Sequence, residues 1–160
     1  MLIERSLIST ASRARGLRRK VFQNSLVSKE AKVNVLQGLL LSRNTFHVGT
    51  WPVLHHKEYQ CFKVAIIRLY KLLLLKEGQD EAADEEEKKW ESDEAVCVAI
   101  DLPHPAVLVR YFRVCTGVRL AAKAPKAFWE VVYAARTARR SWLEALMSDI
   151  RWLKRPGSGN

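Results

Sequence analysis

Apolar side chains recur every three or four residues along most of this chain, which is the spacing of one face of an α-helix. The pattern predicts a helix over residues 29–45, with Ser28 as its N-cap, and another over residues 56–75. The predicted buried faces consist of Val33, Leu36, Leu40 and Leu41 in the first helix and of Tyr59, Phe62, Ile66, Leu69 and Leu73 in the second. Between the two helices, Gly49 marks the end of the first, and Pro52 restricts the backbone direction in which the chain enters the second.

The pattern continues after a long acidic interruption. A short helix is predicted over residues 93–100, capped by Ser92. Pro103 and Pro105 then interrupt the helical pattern, and a further helix begins at this point. In that helix we expect Arg110 and Arg113 to point away from an apolar face formed by Leu108, Tyr111, Phe112 and Cys115.

Two more helices are predicted near the carboxyl end. Pro125 precedes a segment whose buried stripe would contain Phe128, Trp129, Val132 and Tyr133. Ser141 and Glu144 have the spacing of a capping box, which marks the start of the last helix. The predicted buried face of this helix consists of Leu143, Leu146, Met147, Ile150 and Leu153.

These elements predict an all-α fold with two helical subdomains joined by an acidic linker. The first, residues 1–76, is basic, and the linker spans residues 77–92. The second subdomain spans residues 93–155, and residues 156–160 form a tail without ordering residues.

Charge is distributed unevenly over the 160 residues. The formal net charge is +10, yet residues 77–94 hold ten acids against two lysines, so the rest of the chain carries +18. A body this basic is typical of proteins that bind a polyanion, most often nucleic acid. Two basic groups are the predicted phosphate contacts: Arg13, Arg15, Arg18, Arg19 and Lys20 in the first, and Arg136, Arg139 and Arg140 in the second.

Catalytic and metal-binding motifs are not recognisable in the sequence. His55 and His56 are adjacent and would diverge by about 100° on a helix, so they do not form a metal site with Cys61. The glycines are scattered singly and make no phosphate-binding loop. We therefore expect neither enzymatic activity nor a cofactor nor a bound metal.

The expected location is intracellular, in the nucleus or the cytoplasm, since Cys61, Cys97 and Cys115 are widely spaced and suggest buried thiols. No apolar run is long enough to span a membrane, and we expect no membrane association. The first 22 residues are rich in Arg and Ser, as in a mitochondrial presequence, although Glu4 and the lack of a clear end favour a basic helix of the protein body.

The series of motifs resembles the region that follows the polymerase active site in non-LTR (LINE-type) retrotransposon reverse transcriptases. The matching positions in the first half are Phe22-Gln23-Asn24, Lys32, Leu41-Ser42-Arg43, Gly49-Thr50-Trp51-Pro52, Glu58 and Arg68-Leu69-Tyr70. In the second half, "HPAVLVRYFRVCTGVRLAAKAPKAFWEVV" followed by "SWLEALMSDIRWLKR" is similar to the helical C-terminal region of such proteins. The resemblance covers residues 10–155 in order.

The resemblance implies thumb-like and downstream helices that grip a template–primer duplex, without the catalytic palm. Asp80, Asp84, Asp93 and Asp101 do not match the metal-binding aspartates of the family, which two-metal nucleotidyl transfer requires. The chain is therefore expected to be a non-catalytic fragment with residual binding of RNA or an RNA–DNA hybrid. The alternative is a helical scaffold or assembly subunit that binds another protein, within a ribonucleoprotein particle for example.

Overall fold

A computed structural model of the chain describes residues 13–45, 47–74, 92–138 and 140–154, with the side chain of Arg43 excepted. The elements within these ranges are all helical, which confirms the predicted all-α fold. In chain order they are α1 (residues 13–17 and the π-helical turn Arg18–Phe22), α2 (Lys29–Val35, continued by the π-helical Leu36–Leu41 and by Ser42–Thr45), α3 (His56–Lys71, extended by the 3-10 turn Leu72–Leu74), α4 (Asp93–Ile100), α5 (Pro105–Lys123), α6 (Lys126–Ala134, extended by the 3-10 turn Ala135–Thr137) and α7 (Trp142–Leu153).

Serine side chains cap three of the helices at the predicted positions. The hydroxyl of Ser28 accepts a hydrogen bond from the amide of the third helical residue of α2, and Ser92 caps α4 in the same way. Ser141 caps α7 through the amide of Leu143 at 3.3 Å, two residues on rather than the three of a capping box. Each bond satisfies an amide that has no partner inside its own helix.

Two compact units divide the chain, and each is discontinuous in sequence. The first comprises residues 1–44 and 60–105, and the second comprises residues 45–59 and 106–160. The acidic segment 77–92, predicted to separate two subdomains, lies outside the described residues except for Ser92, and so does the tail 156–160.

The first unit is built around apolar residues of α1 to α4. The π-helical part of α2 has a wider turn than an α-helix, so Leu36 shares a face with Leu40 and Leu41, and all three are buried. The π-helical turn of α1 and the first part of α2 both lie against the 3-10 turn Leu72–Leu74. The other buried apolar side chains of this unit include Phe22, Phe62, Ile66, Ile67, Leu69, Tyr70, Val96, Cys97 and Ile100.

The second unit depends on close approach of backbones. Gly49 is buried in the 3-10 turn Val48–Thr50, where an added Cβ would clash with the Thr116 hydroxyl and lie 2.7 Å from the Phe112 carbonyl oxygen. The indole Nε1 of Trp142 donates to the Gly49 carbonyl at 2.8 Å. The turn after α2 is therefore fixed on both sides, by α5 and by the start of α7.

Helix α5 turns a different face inward from the one that the apolar pattern predicts. Its buried residues are Pro105, Val109, Arg113 and Gly117, at steps of four, whereas Tyr111 is 60% exposed. Gly117 lets α5 approach α7 closely, because a Cβ there would lie 2.9 Å from a methyl of Leu146. The prediction that Arg113 points away from the core is therefore wrong.

Other burial predictions are also corrected. No residue of α6 is fully buried, and Tyr133 in its predicted buried stripe is 56% exposed. In α7 the buried residues are Ala145, Leu146 and Asp149, while Met147 and Leu153 of the predicted face are exposed. Among the cysteines, Cys97 is buried as predicted, Cys115 is half-buried and Cys61 is exposed.

Candidate nucleic-acid interface

The basic cluster of α1 lies on the exposed side of its helix. Ala14 and Phe22 are buried on the opposite side. Arg18 is half-buried. The exposed cations are Arg13, Arg15, Arg19 and Lys20. We call these four residues the α1 basic face.

The size of the α1 basic face suits a nucleic-acid backbone. From Arg13 to Lys20 the helix advances about 10 Å at ~1.5 Å per residue. A duplex presents one phosphate charge for about every 1.7 Å of its axis, so several phosphates fall within this length. The face can therefore neutralise several phosphates at once, without reading base edges.

In the structure, the described members of the second predicted basic group, Arg136 and Arg140, have different environments. Arg136 is exposed, and its guanidinium lies over the ring of Tyr133 at 5.9 Å and donates to the Tyr133 carbonyl. Arg139 lies outside the described residues. Arg136 thus remains accessible to a phosphate while stacked on an aromatic ring.

Arg140 has a structural role within the second unit. Its φ of 67° places it in the left-handed region, which is uncommon for a residue with a side chain. Its Nε donates to the Val53 carbonyl at 2.6 Å, and its Nη2 pairs with Glu58 at 2.7 Å. The His55 amide also donates to Glu58, and together with Arg140 it lowers the pKa of that carboxyl. The donors of Arg140 are therefore directed at the protein itself.

A buried ion pair that the sequence did not suggest joins α5 to α7. Arg113 donates to Asp149 and, through Nε at 3.1 Å, to the carbonyl of Trp51, while its other Nη lies 3.4 Å from the Pro52 carbonyl. Both charged side chains are at most 7% exposed. The pair therefore ties the loop before α3 to two helices.

An open cleft of about 370 Å³ lies next to this pair, entirely within the second unit. Its walls are mostly apolar, with Val53, Val109 and Ala145 among them. Arg110 stands at its side, stacked on Trp152 at 4.8 Å and 3.6 Å from Asp149. No signal in the sequence pointed to this arrangement, because an arginine and an aspartate 36 residues apart are not recognisable as partners from sequence spacing.

Within the described ranges, no group of three or more His, Cys, Asp or Glu residues could hold a metal ion. In the same ranges no single helix is long and apolar enough to cross a membrane; only α4 and α5 taken together, across the break between them, reach the required length and composition.

Comparison with known proteins identifies no relative. No family model matches the chain, and neither a curated protein nor a solved structure matches it significantly. The resemblance to LINE-type reverse transcriptases therefore stays a prediction.

Proposed function

We propose that this protein binds nucleic acid electrostatically, through the α1 basic face. The observation that supports the proposal is that four cations lie exposed on one side of a helix whose other side is anchored by Phe22. Such a face binds the phosphate backbone without sequence specificity, and its affinity falls steeply with salt. Arg136 is a secondary contact, whereas Arg140 is excluded because its guanidinium is held by Glu58 and Val53.

By resemblance, we further propose that the chain derives from a LINE-type reverse transcriptase and has no polymerase activity of its own. The preferred ligand is then RNA or an RNA–DNA hybrid, in the nucleus or the cytoplasm. This ancestry is tested in the genome of origin: DNA that encodes, upstream and in frame, a palm with paired aspartates would support it. A promoter and an independent start immediately before Met1, with no such palm, would argue against it.

The binding proposal is tested with a fluorescent RNA–DNA hybrid and two variants of equal charge. The first, Arg13→Gln/Arg15→Gln/Lys20→Gln, removes three cations of the α1 basic face. The control, Lys29→Gln/Lys57→Gln/Arg68→Gln, removes three exposed cations elsewhere. Affinity is measured by anisotropy from about 50 to 200 mM salt, the range over which phosphate contacts lose most affinity, and circular dichroism verifies the fold.

The α1 variant should bind weakly, and the slope of log K against log salt should become less steep by about 2.7, at ~0.9 per phosphate contact. The control should keep most of its affinity and slope. Equal losses in both variants would mean that net charge alone attracts nucleic acid, and undiminished binding by the α1 variant would refute the proposed interface.

A further inference from the structure

The open cleft of the second unit combines mostly apolar walls with a surplus of positive charge. The charged residues that line it are Arg110, Arg113 and Asp149. Two guanidinium groups against one carboxylate leave a net charge of +1, and the other lining residues carry no charge. A ligand of this cleft therefore meets one cation that the lining does not balance.

The charge of Arg113 is used inside the fold. Its guanidinium donates to the Asp149 carboxylate and to the Trp51 carbonyl, and both charged side chains are buried. Asp149 is thus already neutralised by a buried partner. The surplus charge of the cleft belongs to Arg110.

The guanidinium of Arg110 stands at the cleft with hydrogen-bond donors to offer. Its side chain is 34% exposed, and it lies 3.6 Å from the Asp149 carboxylate, which is longer than a hydrogen bond. Stacking on the ring of Trp152 at 4.8 Å holds the guanidinium in place. Within the part of the chain that the structure describes, this ion pair and this stacking contact are its interactions.

The chemistry of the lining selects one class of ligand. A guanidinium presents a planar fork of donors, which matches a carboxylate through two parallel hydrogen bonds. A ligand with two negative charges fits less well, because the surplus is a single charge and Asp149 would repel the second. The volume of about 370 Å³ is in the range of ~300–1,000 Å³ that small-molecule sites occupy.

We propose that this cleft binds a small organic monocarboxylate with an apolar body. The carboxylate pairs with Arg110, and the apolar body lies against walls that include Val53, Val109 and Ala145. Burial of the apolar body supplies affinity, and the guanidinium supplies orientation. This site is separate from the α1 basic face and does not rest on the proposed nucleic-acid binding.

The test uses 3-phenylpropanoate as the probe, titrated into full-length protein by isothermal titration calorimetry. Two control ligands divide the probe into its parts: 3-phenylpropanamide keeps the apolar body without the charge, and acetate keeps the carboxylate without the body. The variant Arg110→Gln removes the cation and leaves the pair of Arg113 and Asp149 intact. The matched control is Arg119→Gln, since Arg119 is exposed on the same helix but does not line the cleft.

Wild type should bind 3-phenylpropanoate saturably, one molecule per chain, and both control ligands at least tenfold more weakly. Arg110→Gln should weaken binding about tenfold, the loss expected for charge-assisted hydrogen bonds, whereas Arg119→Gln should not. Val53→Asn serves as a second variant: it changes no charge and should weaken binding several-fold by making an apolar wall polar. Circular dichroism verifies each fold.

Four results would overturn the proposal. Equal binding of acetate would show that any anion is attracted, and equal binding of the amide would show that the carboxylate is not recognised. Equal affinities of wild type and Arg110→Gln, or equal losses in Arg110→Gln and Arg119→Gln, would exclude Arg110 as the contact. The α1 variant, which lacks three cations of the α1 basic face, should keep 3-phenylpropanoate binding, so failure of this site and failure of the nucleic-acid interface are distinguishable.

Discussion

Arg113 and Asp149 are 5% and 4% exposed, and each is the main charged partner of the other. Burial of a charge is costly unless it is paired and hydrogen-bonded, and here the guanidinium also reaches the carbonyls of Trp51 and Pro52. The fold should therefore lose stability when either member of the pair is replaced. Replacement of a surface arginine of α5 should have little effect on stability.

Replacing one member of the pair should destabilise the fold strongly. Asp149→Leu leaves the buried Arg113 without a carboxylate partner, which costs about 3–5 kcal/mol in the free energy of unfolding. Arg113→Met should cost less, because Arg110 lies 3.6 Å from the Asp149 carboxylate that remains. The double variant should cost less than the sum of the two. Urea denaturation measures all three, with exposed Arg119→Met as the control. Single losses below about 1 kcal/mol, typical of a surface pair, would contradict this interpretation.

Tyr70 links stability to alkaline pH. Its side chain is fully buried, and its hydroxyl donates to the Pro103 carbonyl at 3.0 Å. Burial raises the pKa of this phenol above its ordinary value. The unfolded chain therefore releases the proton first as pH rises above about 10, and the contribution of Tyr70 to stability is lost from there upward.

The Tyr70→Phe variant should be less stable than wild type near neutral pH, by about 1 kcal/mol for the lost hydrogen bond. Because it has no phenol to ionise, its stability should decline less between pH 9 and 11, a range around the ordinary tyrosine pKa of about 10. Urea unfolding across that range measures the difference. The control is Tyr133→Phe, whose ring is 56% exposed; parallel pH profiles for wild type and Tyr70→Phe would disprove the linkage.

At the scale of elements, the direction that each helix faces depends on contacts that hydropathy does not report. The apolar pattern predicted most of the buried faces of α2 and α3, since Leu36, Leu40, Phe62 and Ile66 are all buried. Val33, Tyr59 and Leu73 of the predicted faces are half-buried. In α5 it failed because the inward row contains an arginine paired with Asp149 and a glycine that lies against Leu146. Neither residue counts as apolar, although both lie in the interior.

Gly49 and Gly38 should respond oppositely to replacement by alanine. At Gly49 the new methyl would clash with Thr116 and with the backbone of Phe112, and we expect a loss of about 1–3 kcal/mol from overpacking. At Gly38, inside the helical segment Leu36–Leu41, an added Cβ would have no atom within 4 Å other than its chain neighbours and the backbone of its own helix. There alanine should stabilise by about 0.5–1 kcal/mol, because glycine is a poor helix former.

Thermal unfolding of Gly49→Ala and Gly38→Ala, followed by circular dichroism at 222 nm, separates the two effects. A melting temperature of Gly49→Ala equal to that of wild type would mean that the turn and α5 can move apart without cost. A lower melting temperature for Gly38→Ala would show that the π-helical part of α2 requires glycine for a reason other than space.

The charge of the whole molecule acts on its stability as well as on its partners. With a net charge of +10 the folded chain repels itself, and ions screen that repulsion more as salt is added. We expect the melting temperature to rise by about 2–4 °C between low and physiological salt, equivalent to ~1 kcal/mol.

The variant Lys29→Gln/Lys57→Gln/Arg68→Gln should gain less from salt, because it carries three fewer charges. Differential scanning calorimetry in buffers of about 10 and 150 mM ionic strength, where screening lengths are ~30 and 8 Å, measures both. A melting temperature that falls with salt would indicate that ion pairs such as Arg140–Glu58 and Lys63–Asp93 outweigh the general repulsion.

By itself the sequence determined the all-α class, the helix starts at Ser28, Ser92 and Ser141, and the basic cluster of α1. These features rest on local chemistry: capping, spacing along one helix, and charge density. Tertiary structure alone decided that Arg113 faces Asp149, that Arg140 is held by Glu58, and that Tyr111 of α5 faces solvent. Those outcomes depend on which segments meet in space. The spacing of residues along one helix does not indicate which other segments that helix will contact.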